Sequence, residues 1–242
     1  TAAFDAGAGG SRVTHAAGQA ALAVAAAVRQ ALVELAARLL DRAPERIAYR
    51  DGRFVSEAGE SLSLAQLMEK AGEIEEAPIT RTAGYEPSGA PDVTSFTAQI
   101  ADVEVDRETG AVRLRRLVTA HDVGTVINPL THQGQIEGGV VQGIGQALIE
   151  QLRVEDGAVT TLNLGDYKLP TVADIPELTT ILVETRRGPA PYAGKAIGEH
   201  ANVAVPAAIA NAVFAAAGVR MTELPITAER VYNALGALEA GA

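Results

Sequence analysis

The chain has 242 residues, with 20 Lys and Arg against 30 Asp and Glu for a formal net charge of −10, and no cysteine. That balance argues against a nucleic-acid partner. The missing thiols exclude disulfides, thiolate catalysis, zinc ribbons and iron–sulfur ligation within the chain. Aromatic residues are 4% and Trp is absent, so alanine and valine must fill the interior, which implies close helix packing. The length allows one large domain or two small ones. No apolar run approaches the roughly 20 residues of a membrane span, and no signal peptide is evident, so a cytoplasmic location is expected. The chain opens on Thr1, not Met, and reads as a processed product or a piece of something longer.

In chain order, Gly7, Gly9 and Gly10 precede Ser11-Arg12-Val13-Thr14, and a long helix follows. Val24, Val28, Leu32, Leu35 and Leu39 recur at helical spacing, and Pro44 ends the helical region. A glycine-rich turn feeding a helix can present N–H groups to an anion, or can simply be a tail with a cap. Ile47–Tyr49 and Arg53–Val55 flank Asp51-Gly52, a hairpin signal. Ser63 to Ala71 predicts a short helix with a Ser63/Gln66 capping box. Gly84 to Asp92 reads as a surface loop. Val103, Val105, Val112, Leu114, Leu117 and Val118 around Arg107–Gly110 predict an antiparallel hairpin.

Asn128-Pro129 starts a helix with Asn as N-cap and Pro in the first turn. Gly134, Gly138, Gly139, Gly143 and Gly145 lie in it, each costing about 1 kcal/mol against alanine. Such a helix needs a ligand or another backbone close against it. Gln135 and Gln142 share a face with Gly138 and Gly139, while Ile136, Val140, Ile144 and Leu148 form an apolar stripe elsewhere. Val154 to Leu164 predicts a second hairpin turning at Asp156-Gly157, and Ile181–Val183 a short buried strand. Pro206 opens a helix closed by Gly218, and Thr227 caps the last one. The order of elements is an α+β mixture, not the regular alternation of a doubly wound sheet.

Several motifs fail. Gly143-Ile144-Gly145 lies inside a helix and so is no dinucleotide fingerprint. Gly188 to Lys195 is one residue too long for a phosphate loop, and Ala196 replaces the required hydroxyl. The histidines His15, His121, His132 and His200 lack metal-ligand spacing and read as surface or hydrogen-bonded groups. No serine-hydrolase elbow is present. The segment Gly194-Lys195-Ala196-Ile197-Gly198-Glu199-His200 stands out instead. It places one carboxylate after a glycine, near a lysine, at a helix start. Glu199 is either a surface charge or a general base.

The ordered set of motifs, from Gly10-Ser11-Arg12 with Thr14, through Gly18-Gln19-Ala20, Asp122-Val123-Gly124, Asn128-Pro129, Gly134-Gln135 with Glu137-Gly138, and Gln142-Gly143, to Lys195 with Gly198-Glu199, resembles one family. It is similar to the C-terminal half of the molybdenum-binding subunit of xanthine dehydrogenases and aldehyde oxidases, from about Gly7 to Leu235. The resemblance implies one molybdopterin-binding domain over 1–242, with helices packed on mixed or antiparallel sheets. It implies a hydroxylase of N-heterocycles, purines or aldehydes that uses oxygen from water, with Glu199 as the base on a molybdenum-bound hydroxyl. Gly10, Ser11, Arg12, Val13, Thr14, Gln135 and Lys195 would contact the cofactor, implied to be the cytosine dinucleotide form of molybdopterin. Val13 stands where many relatives carry Ser. His200-Ala201 replaces a common Pro-Pro, which alters the pocket wall. The family's N-terminal half has no counterpart here, so a second molybdenum-binding chain is expected, or else proteolytic nicking. A [2Fe–2S] chain and an FAD chain are also expected. A non-catalytic cofactor-carrying or assembly module of the same fold is the alternative.

Overall fold

A computed structural model of the chain describes residues 7–74, 78–86 and 93–241. The last part of the predicted loop at Gly84 to Asp92, from 87 onward, lies outside the described residues. The chain divides into two compact units, one of residues 16–89 and the other of residues 1–15 and 90–242.

The smaller unit holds most of helix α1 (Val13–Leu39), strands β1 (Ile47–Arg50), β2 (Arg53–Ser56) and β3 (Ser61–Ser63), and helix α2 (Leu64–Glu73). The β1–β2 turn has Asp51 and Gly52 both at positive φ, 49° and 75°, the conformation that suits a two-residue hairpin. The predicted capping box is present: Gln66 N–H donates to Ser63 Oγ, and Ser63 N–H donates to Gln66 Oε1. Strand β3 pairs antiparallel with β2 and was not evident from the sequence pattern, because three residues are too few to show alternation. Leu35, Phe54, Leu62 and Leu67 form this unit's core.

In the larger unit, β4 (Thr97–Val105) and β5 (Val112–Asp122) make the expected antiparallel hairpin, and β8 (Glu177–Val183) adds to β5 in parallel. Helix α3 (Pro129–Leu148) lies between β5 and β8 in the chain, as does a small hairpin of β6 (Val154–Glu155) and β7 (Ala158–Val159). Parallel pairing requires such a crossover. The architecture is thus α+β with one mixed sheet. The predicted strand Ile181–Val183 is longer than expected and only half covered, with Ile181 and Val183 exposed while Leu178 and Leu182 pack inward. Three consecutive apolar residues read as a buried run, although β8 has one solvent face.

Helices α4 (His200–Val203), α5 (Val205–Ala217) and α6 (Ala228–Ala240) complete the unit. Ile136, Val140 and Ile144 of α3 meet Val205, Ile209 and Val213 of α5 in the core, with Val231 and Leu235 of α6. Asn128, Pro129, Gly218 and Thr227 take the predicted capping roles. The expectation that no segment could span a membrane is corrected on composition. Val13–Leu39 and His200–Ala217 are both long and apolar enough. The second contributes Ala201, Val205, Ile209 and Val213 to the core, as a core helix does. The first reaches the threshold through its many alanines.

Candidate cofactor-binding site

Three segments far apart in the chain meet at the peptide groups of Gly198. Ser11 Oγ accepts a hydrogen bond from Gly198 N–H at 2.8 Å. Gln135 Nε2 donates to Gly198 O at 3.1 Å. Both polar groups of one residue are therefore held from opposite chain segments, and Glu199 follows immediately. Gly10 and Ser11 both adopt φ of 56°, a left-handed turn that glycine enters freely and serine does not. A Cβ on Gly198 would strike Ser11 Oγ, so the close approach requires glycine there.

The glycines of α3 divide into two groups. A Cβ on Gly139 would meet Ala201 Cβ at 2.8 Å, and one on Gly143 would meet Val205 Cβ at 2.6 Å. These two let α3 approach the α4–α5 segment closely, which draws the Gly198–Glu199 stretch over Gln135. Gly145 faces Glu150 and Pro170. Added Cβ atoms on Gly134 and Gly138 would meet nothing within 4 Å among the described residues. Helix-on-helix packing thus accounts for Gly139 and Gly143 and leaves an open stretch of helix around Gln135.

Around this junction lies an open cavity of about 520 Å³. Gly10, Ser11, Val13, Thr14, Gln135, Lys195 and Glu199 all line it, so the structure brings together every predicted site residue except Arg12. Arg12 turns back, and its Nε donates to Gly7 O at 3.2 Å. Glu199 is exposed, and its carboxylate makes no hydrogen bond among the described residues.

Lys195 lines the cavity, but its ammonium is engaged elsewhere. Nζ sits 2.6 Å from Asp122 Oδ2 and 2.8 Å from Thr94 O, with the two side chains of the ion pair only 5% and 11% exposed. Asp122 also accepts from Thr185 Oγ1 and Gly124 N–H. Burial alone would push the Asp122 carboxyl up. The hydrogen bonds from Lys195, Thr185 and Gly124, with the lysine charge, outweigh it and hold the carboxyl below its ordinary value. The Lys195 ammonium is thus paired with Asp122 and ties the loop that carries Glu199 to the end of β5. The physical reason is that a buried carboxylate at the end of β5 captures the nearest cation.

Ile127, Asn128, Thr131 and His132 also line the cavity and were not among the predicted site residues. Their signal was helical spacing: His132 and Thr131 lie three and four positions before Gln135. Nδ1 of His132 is buried without a hydrogen-bond partner among the described residues, and burial lowers its pKa.

The model of the molybdopterin cofactor-binding domain matches residues 1–176. The chain belongs to the molybdopterin cofactor-binding family. It is 32% identical over 242 residues to a putative xanthine dehydrogenase molybdenum-binding subunit of Escherichia coli K12, covering 95% of this chain and 31% of that one. It is 35% identical over 244 residues to the nicotine 6-hydroxylase large subunit of Paenarthrobacter nicotinovorans, covering 96% and 30%. Its fold superposes on quinoline 2-oxidoreductase of Pseudomonas putida 86 with a TM-score of 0.82 at 32% identity, covering 96% and 31%. The chain therefore spans about a third of the length of these relatives.

The cavity suits such a cofactor. Its volume falls within the range of small-molecule sites, roughly 300–1,000 Å³. Added Cβ atoms on Gly9 and Gly10 would meet nothing within 4 Å, so the loop's backbone is open to close approach. The first residues of two long helices, Val13 and Thr14 of α1 and Thr131 and His132 of α3, line it. The positive end of a helix favours anionic groups such as phosphate, while at α3 the N–H groups of Thr131 and His132 are already taken by Asn128. Asn128, Thr131, His132 and Gln135 add polar side chains.

Proposed function

We propose that this chain supplies one wall of the active site of a molybdenum hydroxylase, with Glu199 as its general base. The observation that carries the reading is the clamp on Gly198. Ser11 and Gln135 hold the peptide groups immediately before a carboxylate that lines the cavity and has no competing partner among the described residues. When bound, the molybdenum–pterin group supplies oxygen transfer from water and takes up two electrons. The net reaction converts a C–H and a water into a C–OH with release of two protons and two electrons. Glu199 accepts one of those protons at a carboxylate oxygen, the role of a positioned general base. Gly10, Ser11, Val13, Thr14, His132 and Gln135 hold and orient the pterin, in the cytosine dinucleotide form. Arg12 lies outside the lining and Lys195 acts through the loop.

The substrate class is an N-heterocycle, purine or aldehyde. The names of the nicotine and quinoline relatives favour the N-heterocycle. A second molybdenum-binding chain contributes the rest of the pocket, and [2Fe–2S] and FAD chains carry the electrons away in the cytoplasm. The names of the relatives, a molybdenum-binding subunit and a large subunit, support a multi-subunit assembly. In the purified complex, Glu199→Gln should lower kcat by at least about a hundredfold while leaving molybdenum content unchanged. Unchanged turnover would assign the chain to a cofactor-carrying or assembly role instead.

A further inference from the structure

Behind the first turn of α4, at the Thr97–Gln99 end of β4, lies a buried polar cluster that the cavity does not use. Gln99 Nε2 donates to Ala201 O at 2.7 Å and to Thr119 Oγ1 at 3.0 Å. Thr119 Oγ1 thus already receives a proton, and its own hydrogen is available to His121 Nε2, 2.6 Å away. Thr97 Oγ1 lies 3.4 Å from the same nitrogen. With the Thr119 hydroxyl donating, Nε2 of His121 is an acceptor and the ring proton lies on Nδ1.

His121 is fully buried. Its Nδ1, Gln99 Oε1 and Nε2 of His200 are all buried and have no hydrogen-bond partner among the described residues. The ring centroids of His121 and His200 are 5.7 Å apart, and Gln99 bonds the residue next to His200, so the three residues belong to one cluster. Burial, with repulsion from His200, lowers His121 to about 4, and burial also lowers His200, so both rings are neutral near pH 7. The cluster therefore needs no counter-ion. It needs an acceptor for Nδ1–H of His121 and a donor for Gln99 Oε1. Water is the smallest molecule that is both, and an ordered internal water takes two to four polar partners.

We propose that the cluster is a built site for one internal water, accepting from His121 Nδ1–H and donating to Gln99 Oε1 and His200 Nε2, and that Gln99 and His200 are positioning residues for the Glu199–Ala201 turn. The positioning role rests on the reading of Glu199 given above; the water site does not.

Two measurements test it. Histidine nitrogen NMR on the full chain near pH 7 should show His121 neutral with its proton on Nδ1. A high-resolution crystal structure should show a water within about 3 Å of all three atoms. A His121 proton on Nε2, a charged His121, or a direct nitrogen–nitrogen contact between the two rings would overturn the site. In the assembled complex, His200→Phe removes the Nε2 contact. It should lower kcat about tenfold or more at unchanged KM and molybdenum content, because small misplacements of a reacting group are costly. His200→Gln returns a polar atom to the same reach and should recover most of the loss. Unchanged kcat in His200→Phe would overturn the positioning role even with the water in place. A fully active Glu199→Gln would instead overturn the base assignment, leaving the water site to stand or fall on the structure and the NMR.

Discussion

Lys195→Met tests how the loop before Glu199 is held. The substitution keeps the length of the side chain and removes its charge. Asp122 then keeps Thr185 Oγ1 at 2.8 Å and Gly124 N–H at 3.1 Å but loses its cation. Removing one partner of a buried pair leaves an uncompensated charge and costs about 3–5 kcal/mol. The two remaining hydrogen bonds place the expected loss at the lower end, about 3 kcal/mol. In a chain of this size that corresponds to a drop in Tm of roughly 6–12 °C. Lys195→Met with Asp122→Asn removes the stranded charge and should recover most of the loss in urea and thermal unfolding. A single-variant loss below about 1 kcal/mol, or a double variant as unstable as the sum of the singles, would refute the anchoring argument. The pH dependence follows from the lowered Asp122 carboxyl. Its contribution is fully present above the ordinary carboxylate value, near pH 4, and is lost as pH falls through the lower folded value. Without Lys195 the carboxyl rises, so the acid loss should begin at higher pH.

Three further outcomes are expected. His121 is buried and lowered to about 4, so the unfolded chain binds its proton first and stability should fall as pH drops from about 6.5 towards 4, by about 3 kcal/mol in all; His121→Gln should flatten that slope in pH-dependent unfolding. Gly198→Ala drives a Cβ into Ser11 Oγ and should break the clamp, seen as reduced molybdopterin retention in the purified complex with a smaller loss for Ser11→Ala. Gly143→Ala gains about 1 kcal/mol of helix propensity but places a Cβ 2.6 Å from Val205 Cβ and 2.9 Å from Asn202 O, so a net destabilisation of about 1–2 kcal/mol is expected in urea unfolding.

Much of the local structure was legible because local chemistry controls it. Asp51-Gly52, the Ser63/Gln66 box, Asn128-Pro129, Gly218 and Thr227 all act over a few residues, and all formed as read. The parallel partner of β5 was not legible. Its pairing joins Arg116–Asp122 to Glu177–Val183 across the intervening helix, and no local pattern encodes it. The site was legible in part. Gly10, Ser11, Gln135 and Glu199 could be named from motif order and do line one cavity, whereas His132 looked like any surface histidine until helix α3 placed it beside Gln135. Lys195 looked available until Asp122 was found beside it.

The sequence by itself determined the caps, the turns, the hairpins and the family motifs, since each depends on side chains near one another in the chain. Only the tertiary structure decided what those motifs do to each other. It showed that Gly139 and Gly143 serve helix packing, that Ser11 and Gln135 meet at Gly198, and that the charge of Lys195 is taken by a carboxylate 73 residues away. Contacts over such separations depend on how closely helices and sheet pack in three dimensions, and that closeness is set by the whole core at once.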